Sequence, residues 1–190
     1  MSFNAIALSG KPGSGKSTLL RKLHSRLGWE QKSVGGLLRE LHKSWQEQDL
    51  GNRQSIGFTA YYSDKVLVSE ELLKSLNSDL STYLSKGNTL VDSRFATMNA
   101  KGLSNVLTVY LHAPIEVRVH RSIDSPQYKG LSSHDIFKDL NLRQRLESER
   151  GQETYGHSFE CHNVLSYMLV INNNHLTIDQ EADIICSILE

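Results

Sequence analysis

The hydrophobic positions along the chain alternate between two periods. Phe3 to Leu8 is a short, nearly continuous apolar run ending at Ser9-Gly10, the pattern of a strand buried on both faces. From Lys16 to Leu27 the spacing changes. Leu19, Leu20, Leu23 and Leu27 recur at helical intervals with Arg21, Lys22 and Arg26 between them, and Gly28 stands where a helix would end. Gln31 to Val34 predicts a second short strand, and Leu37, Leu38, Leu41 and Trp45 a second helix. Ser69 is placed to cap a third helix. Glu70 and Glu71 suit its first turn, and Leu72, Leu73, Leu76, Leu80 and Leu84 form its apolar stripe before Gly87. Thr89 to Asp92 reads as a strand with an acid at its end, and Leu107 to Leu111 as the next strand. Pro114 opens a helix on which Ile115, Val119 and Ile123 share a face. Ser125 to Leu131 is a connection bearing Pro and Gly, and Ile136 to Arg150 a helix rich in Arg and Glu. Met168 to Ile171 predicts the last strand. Thr177-Ile178-Asp179-Gln180 has the form of a capping box at the head of a final helix that buries Ile178, Ala182, Ile185 and Leu189.

Strands alternating with helices from end to end predict an α/β fold: a parallel, five-stranded sheet between two helical layers. Asp49 to Asp64 has weak periodicity and reads as a loop-rich segment. With no repeat, low-complexity tract or linker, residues 1–190 are expected to form a single domain with a substantial core.

Composition narrows the partners. Lys plus Arg number 21 and Asp plus Glu 21. A balanced chain offers no global attraction to nucleic acid or to a membrane surface, so any case for phosphate rests on where individual arginines stand. Cys161 and Cys186 are the only cysteines and form neither a close pair nor a zinc spacing. His157, Cys161 and His162 crowd together without a recognised metal-binding spacing and read as incidental. The first eight residues lack the basic start and long apolar stretch of a signal peptide, so a reducing cytoplasm is the expected compartment.

One motif carries specific chemistry. Gly10-Lys11-Pro12-Gly13-Ser14-Gly15-Lys16-Ser17 fits G-x-x-x-x-G-K-[ST], with a strand before it and an amphipathic helix after it. Glycines let backbone N–H groups turn around phosphate oxygens, and the helix N-terminus adds partial positive charge. Lys16 is a compact cation for the β- and γ-phosphates, and Ser17 offers a hydroxyl to magnesium. Asp92, at the carboxyl end of its strand, is a second oxygen donor for magnesium, or alternatively a cap for the segment after it. These are the marks of a P-loop protein that binds a nucleoside triphosphate and Mg2+. No N-K-x-D guanine signature is present.

Further blocks, in order, resemble the nucleoside monophosphate kinases, and most closely their short cytidylate kinase-like branch. Ser9 to Thr18 is similar to that branch's opening loop. Ser33-Val34-Gly35-Gly36-Leu37-Leu38-Arg39 looks like its S-x-G-x-x-[FL]-R segment, and Leu90-Val91-Asp92-Ser93-Arg94 like its strand ending in acid-x-R. Leu111 to Arg121 resembles L-x-A-P-x-E-V-R-x-x-R, and Tyr167 to Asn173 the last strand. The resemblance implies a P-loop fold with a helical lid and an ATP-dependent phosphotransferase acting on CMP or dCMP, with no obligate protein partner. It implies that Arg39 and Arg94 grip the acceptor's phosphate, for which paired guanidinium donors are suited. Gly10, Pro12, Gly13, Ser14, Gly15, Lys16, Ser17 and Thr18 would hold the nucleotide's phosphates, and Arg121 would pack on its adenine. At least one of Arg143, Arg145 and Arg150 would reach the transferring group, with Arg145 and Arg150 the two taken as catalytic beside Lys16, Asp92 and Arg94. An i,i+4 ion pair of Arg143 with Glu147 is the competing reading of that charged helix. The chain departs from the branch after Arg121, where a further arginine is often found, and in the lid, where Arg143 to Gly151 differs from R-E-x-S-E-x-x-R-Y. The stretch Asp49 to Asp64 matches least. Two other readings therefore stay open: a kinase for another small acceptor, and a nucleotide-binding regulator with little turnover.

Overall fold

The structure, a computed structural model, describes residues 2–48, 59, 64, 68–156 and 164–189. Five strands form one parallel sheet: β1 (Ala5–Gly10), β2 (Glu30–Ser33), β3 (Thr89–Asp92), β4 (Val106–His112) and β5 (Leu169–Asn172). Their order across the sheet is β2-β3-β1-β4-β5. The helices between them are α1 (Lys16–Leu27), α2 (Val34–Gln48), α3 (Glu70–Ser85), α4 (Ala96–Asn99), α5 (Ile115–Ser122), α6 (Ser133–Tyr155) and α7 (Ile178–Leu189). The predicted α/β architecture is therefore present.

The central strand explains the layering. All six residues of β1 are buried, and the period of two sends them alternately to opposite faces. Ile6 and Leu8 pack with Leu19, Leu20 and Leu23 of α1 and with Ala182 and Ile185 of α7. Ala5 and Ala7 pack on the other face against Leu80, Tyr83 and Leu84 of α3 and Ala96 of α4. Because the chain winds from β1 to one side of the sheet and later to the other, a crevice opens at the carboxyl end of β1, the usual ligand site of such sheets. Register carries the chemistry there: Leu8 of β1 and Ser33 of β2 both stand opposite Asp92.

The local stop signals act as the sequence reading expects. Gly28 ends α1 in the left-handed region and donates its N–H to His24 O. The Ser69 hydroxyl accepts from Leu72 N at 3.2 Å at the start of α3. Thr177 and Gln180 bond reciprocally at the start of α7, Thr177 N to Gln180 Oε1 at 2.9 Å and Gln180 N to Thr177 Oγ1 at 3.3 Å. Two expectations need correction. Ile123 does not continue an apolar face: α5 ends at Ser122, Ile123 is exposed, and the buried residues are Arg118, Val119 and Ser122. That face is partly polar because it covers the peptide-rich turn around Gly13, where an added Cβ would meet Arg118 O at 3.0 Å. Leu41 is likewise exposed rather than buried on α2. The four-residue α4 is too short to show a period and escapes a sequence reading. The His157, Cys161 and His162 group, and all of Asp49 to Asp64 except Thr59 and Asp64, lie outside the described residues. Among the described residues no cluster suits a metal ion by His, Cys, Asp and Glu alone, and no helix is long and apolar enough to cross a membrane.

Candidate active site

The loop from β1 to α1 forms one wall of a cavity of about 750 Å3. Gly15 has φ 97°, a conformation that side-chain-bearing residues rarely adopt, and it is the residue from which α1 starts. Ser14 is buried beneath the loop and Gly13 presses against α5. Lys16 folds along the loop. Its Nζ donates to Gly10 O at 2.8 Å and Lys11 O at 3.1 Å, with Ser14 Oγ at 3.5 Å. Burial, then the nearby Arg94 guanidinium, lowers the Lys16 pKa to about 7. A lysine so placed is poised to regain full charge when an anion arrives.

Asp92 closes one side. Its Oδ2 accepts from Ser17 Oγ at 3.4 Å and from Ser33 Oγ at 3.2 Å. Ser33 also caps α2, accepting from Gly36 N at 3.1 Å. A carboxylate and a hydroxyl together beside the phosphate loop are all-oxygen donors, which fit a hard cation such as Mg2+ that keeps waters and phosphate oxygens as its other ligands.

The opposite wall is a cluster of guanidinium groups around one carboxylate. Arg94 Nε lies 2.6 Å from Glu147 Oε2, and its Nη2 3.2 Å from Oε1. Arg94 Nη1 also donates to Gly10 O, tying the cluster to the phosphate loop. Arg143 Nε donates to the same Glu147 Oε1 at 2.8 Å. Burial alone would raise the Glu147 pKa, but Arg94 and Arg143 outweigh it and hold the carboxylate below its ordinary value. Arg39 lines the cavity from α2. Partial desolvation and then Arg143 lower its pKa. Arg150 lines the cavity too, and donates to the Val68 carbonyl.

At the far end, Arg121 of α5 donates from Nη1 to Ser14 O at 3.3 Å and from Nη2 to Asn173 O at 2.6 Å, with Leu176 and Ile178 nearby on the cavity wall. Pro12 O accepts from Arg118 Nη1 at 3.1 Å, and Thr18 stands on the wall behind Ser17. The cavity therefore gathers Pro12, Gly13, Gly15, Lys16, Ser17, Thr18, Arg39, Asp92, Arg94, Arg121 and Arg150, with Gly10 and Ser14 just beneath.

Arg145 is the correction. It points away from the cavity, its side chain 68% exposed, with Nε 3.7 Å from Glu149. Residues 143, 147 and 150 share one face of α6, whereas 145 stands roughly 200° from 143 at about 100° per residue and turns outward. The competing reading of Arg143 is also present, since its pair with Glu147 forms; yet that pair lies inside the cavity rather than on a solvent face. Sequence reasoning missed Glu147 as a cavity residue, and missed a polar knot beside it. Asn77 Nδ2 donates to Tyr155 Oη and to Leu73 O, both at 2.8 Å, while Tyr155 packs edge-on against Phe95 with ring centroids 4.3 Å apart. The available signal was an asparagine at a core position of the leucine-striped α3.

A family model described as the cytidylate kinase-like family matches residues 5–175. The chain belongs to the cytidylate kinase-like family. It is an ATP-dependent kinase. Cytidylate kinase from Sulfolobus acidocaldarius is 29% identical to it over 184 residues, 97% of this chain and 93% of that one. Cytidylate kinase from Pyrobaculum neutrophilum is 28% identical over 190 residues, 97% of this chain and 94% of that one. Among solved structures, an uncharacterized protein from Eubacterium ventriosum superposes with a TM-score of 0.61 at 16% identity, covering 100% of this chain and 98% of that one. Shikimate kinase from Bacteroides thetaiotaomicron does so with a TM-score of 0.56 at 14% identity, covering 97% of each. At that identity the superpositions speak for the P-loop kinase fold alone.

Proposed function

We propose that this chain is a nucleoside monophosphate kinase that transfers the γ-phosphoryl group of ATP to CMP or dCMP. The observation that carries the reading is the pair of anion-binding walls in one cavity: the phosphate loop with Lys16 on one side, and Arg39, Arg94 and Arg143 on the other. The family match and the cytidylate kinase names of the relatives favour a cytidine acceptor.

In this reading Gly13, Gly15, Lys16 and Thr18 hold the triphosphate, and Arg121 lies against the adenine. Ser17 and Asp92 hold Mg2+, which when bound supplies charge neutralisation to the phosphates. Arg39 and Arg94 grip the acceptor's phosphate. An oxygen of that phosphate bonds to the γ-phosphorus, the bond from γ-phosphorus to the bridging oxygen breaks, and its electron pair stays on ADP. The attacking oxygen is already anionic, so no general base is needed. Lys16, Arg94 and Arg143 oppose the charge that builds on the transferring group. Arg143 thus takes the place of Arg145 in the lid assignment, while Arg150, buried at the back of the same wall, anchors α6 through Val68.

The test is kcat/KM measured across CMP, dCMP, UMP, AMP, GMP, cytidine, shikimate and simple sugars with ATP and magnesium. CMP or dCMP should lead, and cytidine should trail CMP by a large factor, because a neutral ligand forgoes the charge-assisted hydrogen bonds that guanidinium groups make to a phosphate. A sugar, acid or nucleoside ahead of every monophosphate would replace the acceptor assignment. Tight ATP binding with no acceptor at all would favour a regulatory protein.

A further inference from the structure

On the cavity wall near Arg121, beside the phosphate loop, stands a buried acidic residue that the reading above does not use. Glu181, in the first turn of α7, is 3% exposed. Its Oε1 accepts from Asn173 Nδ2 at 3.1 Å, and its Oε2 has no hydrogen-bond partner among the described residues. Asn173 follows β5 and is fully buried. The same Nδ2 donates to Ser14 O at 2.9 Å, while Asn173 Oδ1 has no donor among the described residues. Both neighbours of the amide are acceptors, so its NH2 group must face them, and the orientation of the side chain is unambiguous.

The consequence reaches the phosphate cradle. A peptide unit is planar and trans, so its C=O and N–H point in opposite directions. Ser14 O is held by Asn173 Nδ2 and Arg121 Nη1, on the side of the loop that faces α5 and the end of β5. The N–H of Gly15 is thereby turned the other way, toward the side where a nucleotide's phosphates would lie. Gly15, in the left-handed region, has little preference of its own for that orientation. Burying a carboxylate with a single hydrogen bond is costly, and burial accordingly raises the Glu181 pKa. What that carboxylate visibly does is fix the amide that fixes the loop.

We propose that Glu181 and Asn173 form a positioning relay from α7 to the phosphate loop, setting the Ser14–Gly15 peptide for nucleotide binding. The proposal rests on the reading that this loop binds ATP. Affinity for MgATP, measured calorimetrically on folded protein without an acceptor, tests it independently of acceptor identity. Asn173→Ala should weaken MgATP binding about tenfold, the effect of one lost buried hydrogen bond to the backbone. Glu181→Ala should weaken it by a smaller factor, and the double variant should be no worse than Asn173→Ala alone. The acceptor's KM at saturating ATP should not move. A second arm separates positioning from simple packing. Asn173→Asp combined with Glu181→Gln reverses donor and acceptor, restoring the bond between the two side chains but facing an oxygen to Ser14 O. The swapped pair should recover the Tm lost in Asn173→Asp but not the MgATP affinity. Recovery of both, additive effects of the two alanine variants, or unchanged affinity in either would overturn the relay while leaving the nucleotide reading intact. Should Glu181→Ala fail to fold, the swapped pair still decides. Failure of the unaltered chain to bind MgATP would overturn both.

Discussion

Arg94 meets Glu147 side-on, with Nε 2.6 Å from one carboxylate oxygen and Nη2 3.2 Å from the other, and the same carboxylate takes Arg143 at 2.8 Å. A buried carboxylate thus holds together two guanidinium groups that would otherwise repel beside Lys16. Glu147→Gln should destabilise the empty protein by on the order of 3 kcal/mol, the usual cost of leaving buried charges unpaired. Inorganic phosphate should restore part of that loss by supplying the missing anion. Because the folded pKa of Glu147 is depressed, its contribution is present above the ordinary glutamate pKa and disappears as pH falls through the folded value. Denaturation of both proteins across pH 3 to 8, with and without phosphate, checks this. Equal stability of the two proteins at neutral pH would show that the triad contributes nothing.

Lys16→Ala should leave the fold intact and lower kcat by roughly a hundredfold or more, the cost of losing a cation aimed at transition-state charge. Burial and the Arg94 guanidinium hold the Lys16 pKa at about 7, and bound phosphates should return it toward its ordinary value. MgATP binding at pH 8 should therefore take up close to one proton, seen as a dependence of calorimetric heat on the buffer's ionisation enthalpy, and Lys16→Ala should remove it. Between pH 7 and the ordinary lysine pKa the unfolded chain holds the extra proton, so the empty protein should gain stability as pH rises through that window. Heats independent of buffer would contradict this.

Arg39→Ala and Arg94→Ala should act on the acceptor more than on ATP. Arg39 stands at the open side of the cavity, so its loss should raise the CMP KM with a modest change in kcat. Arg94 also touches Gly10 O and Glu147, so its loss should lower kcat as well. Steady-state kinetics with each substrate varied in turn distinguishes the two. An effect confined to the ATP KM would remove both residues from the acceptor site.

Turnover should require a divalent cation and stop in excess chelator. Asp92→Asn and Ser17→Ala should each raise the magnesium concentration needed for half-maximal rate. Ser33→Ala should do so less, since Ser33 reaches Asp92 from the α2 side and serves mainly as a cap. Magnesium titrations of the initial rate measure this, and unshifted curves for Asp92→Asn would remove that residue from the metal site.

Arg145→Ala should change kcat/KM less than twofold, as befits an exposed side chain paired only with Glu149 among the described residues. Arg150→Ala, by contrast, should cost both stability and activity, because its guanidinium is buried against Val68 and the cavity. Parallel assays and melting curves of the two variants compare them, and a large loss of rate in a stable Arg145→Ala protein would return that arginine to the site.

The layers and the phosphate loop are written in local patterns of the chain. Period-two and period-3.6 burial is local information, and so are the stops at Gly28, Ser69 and Thr177, whose partners lie within four residues. Gly10 to Ser17 was equally legible, because spacing along a strand–loop–helix already dictates where its peptide groups can turn. Tertiary structure alone decided which charges meet. Arg94 and Glu147 are 53 residues apart in the chain, and Asn173 and Ser14 are 159 apart. Their encounter depends on strand order, with β1 between β3 and β4, and on the angle at which α6 crosses the crevice. The helical period of α6 separates Arg145 from Arg143 and Arg150: three arginines of equal character in the sequence differ only in which face of the helix they occupy. Asn77 and Glu181 were passed over for the same reason. A polar residue on an apolar helix face is costly in isolation, and its purpose shows only when the partner that satisfies it is brought from elsewhere in the chain.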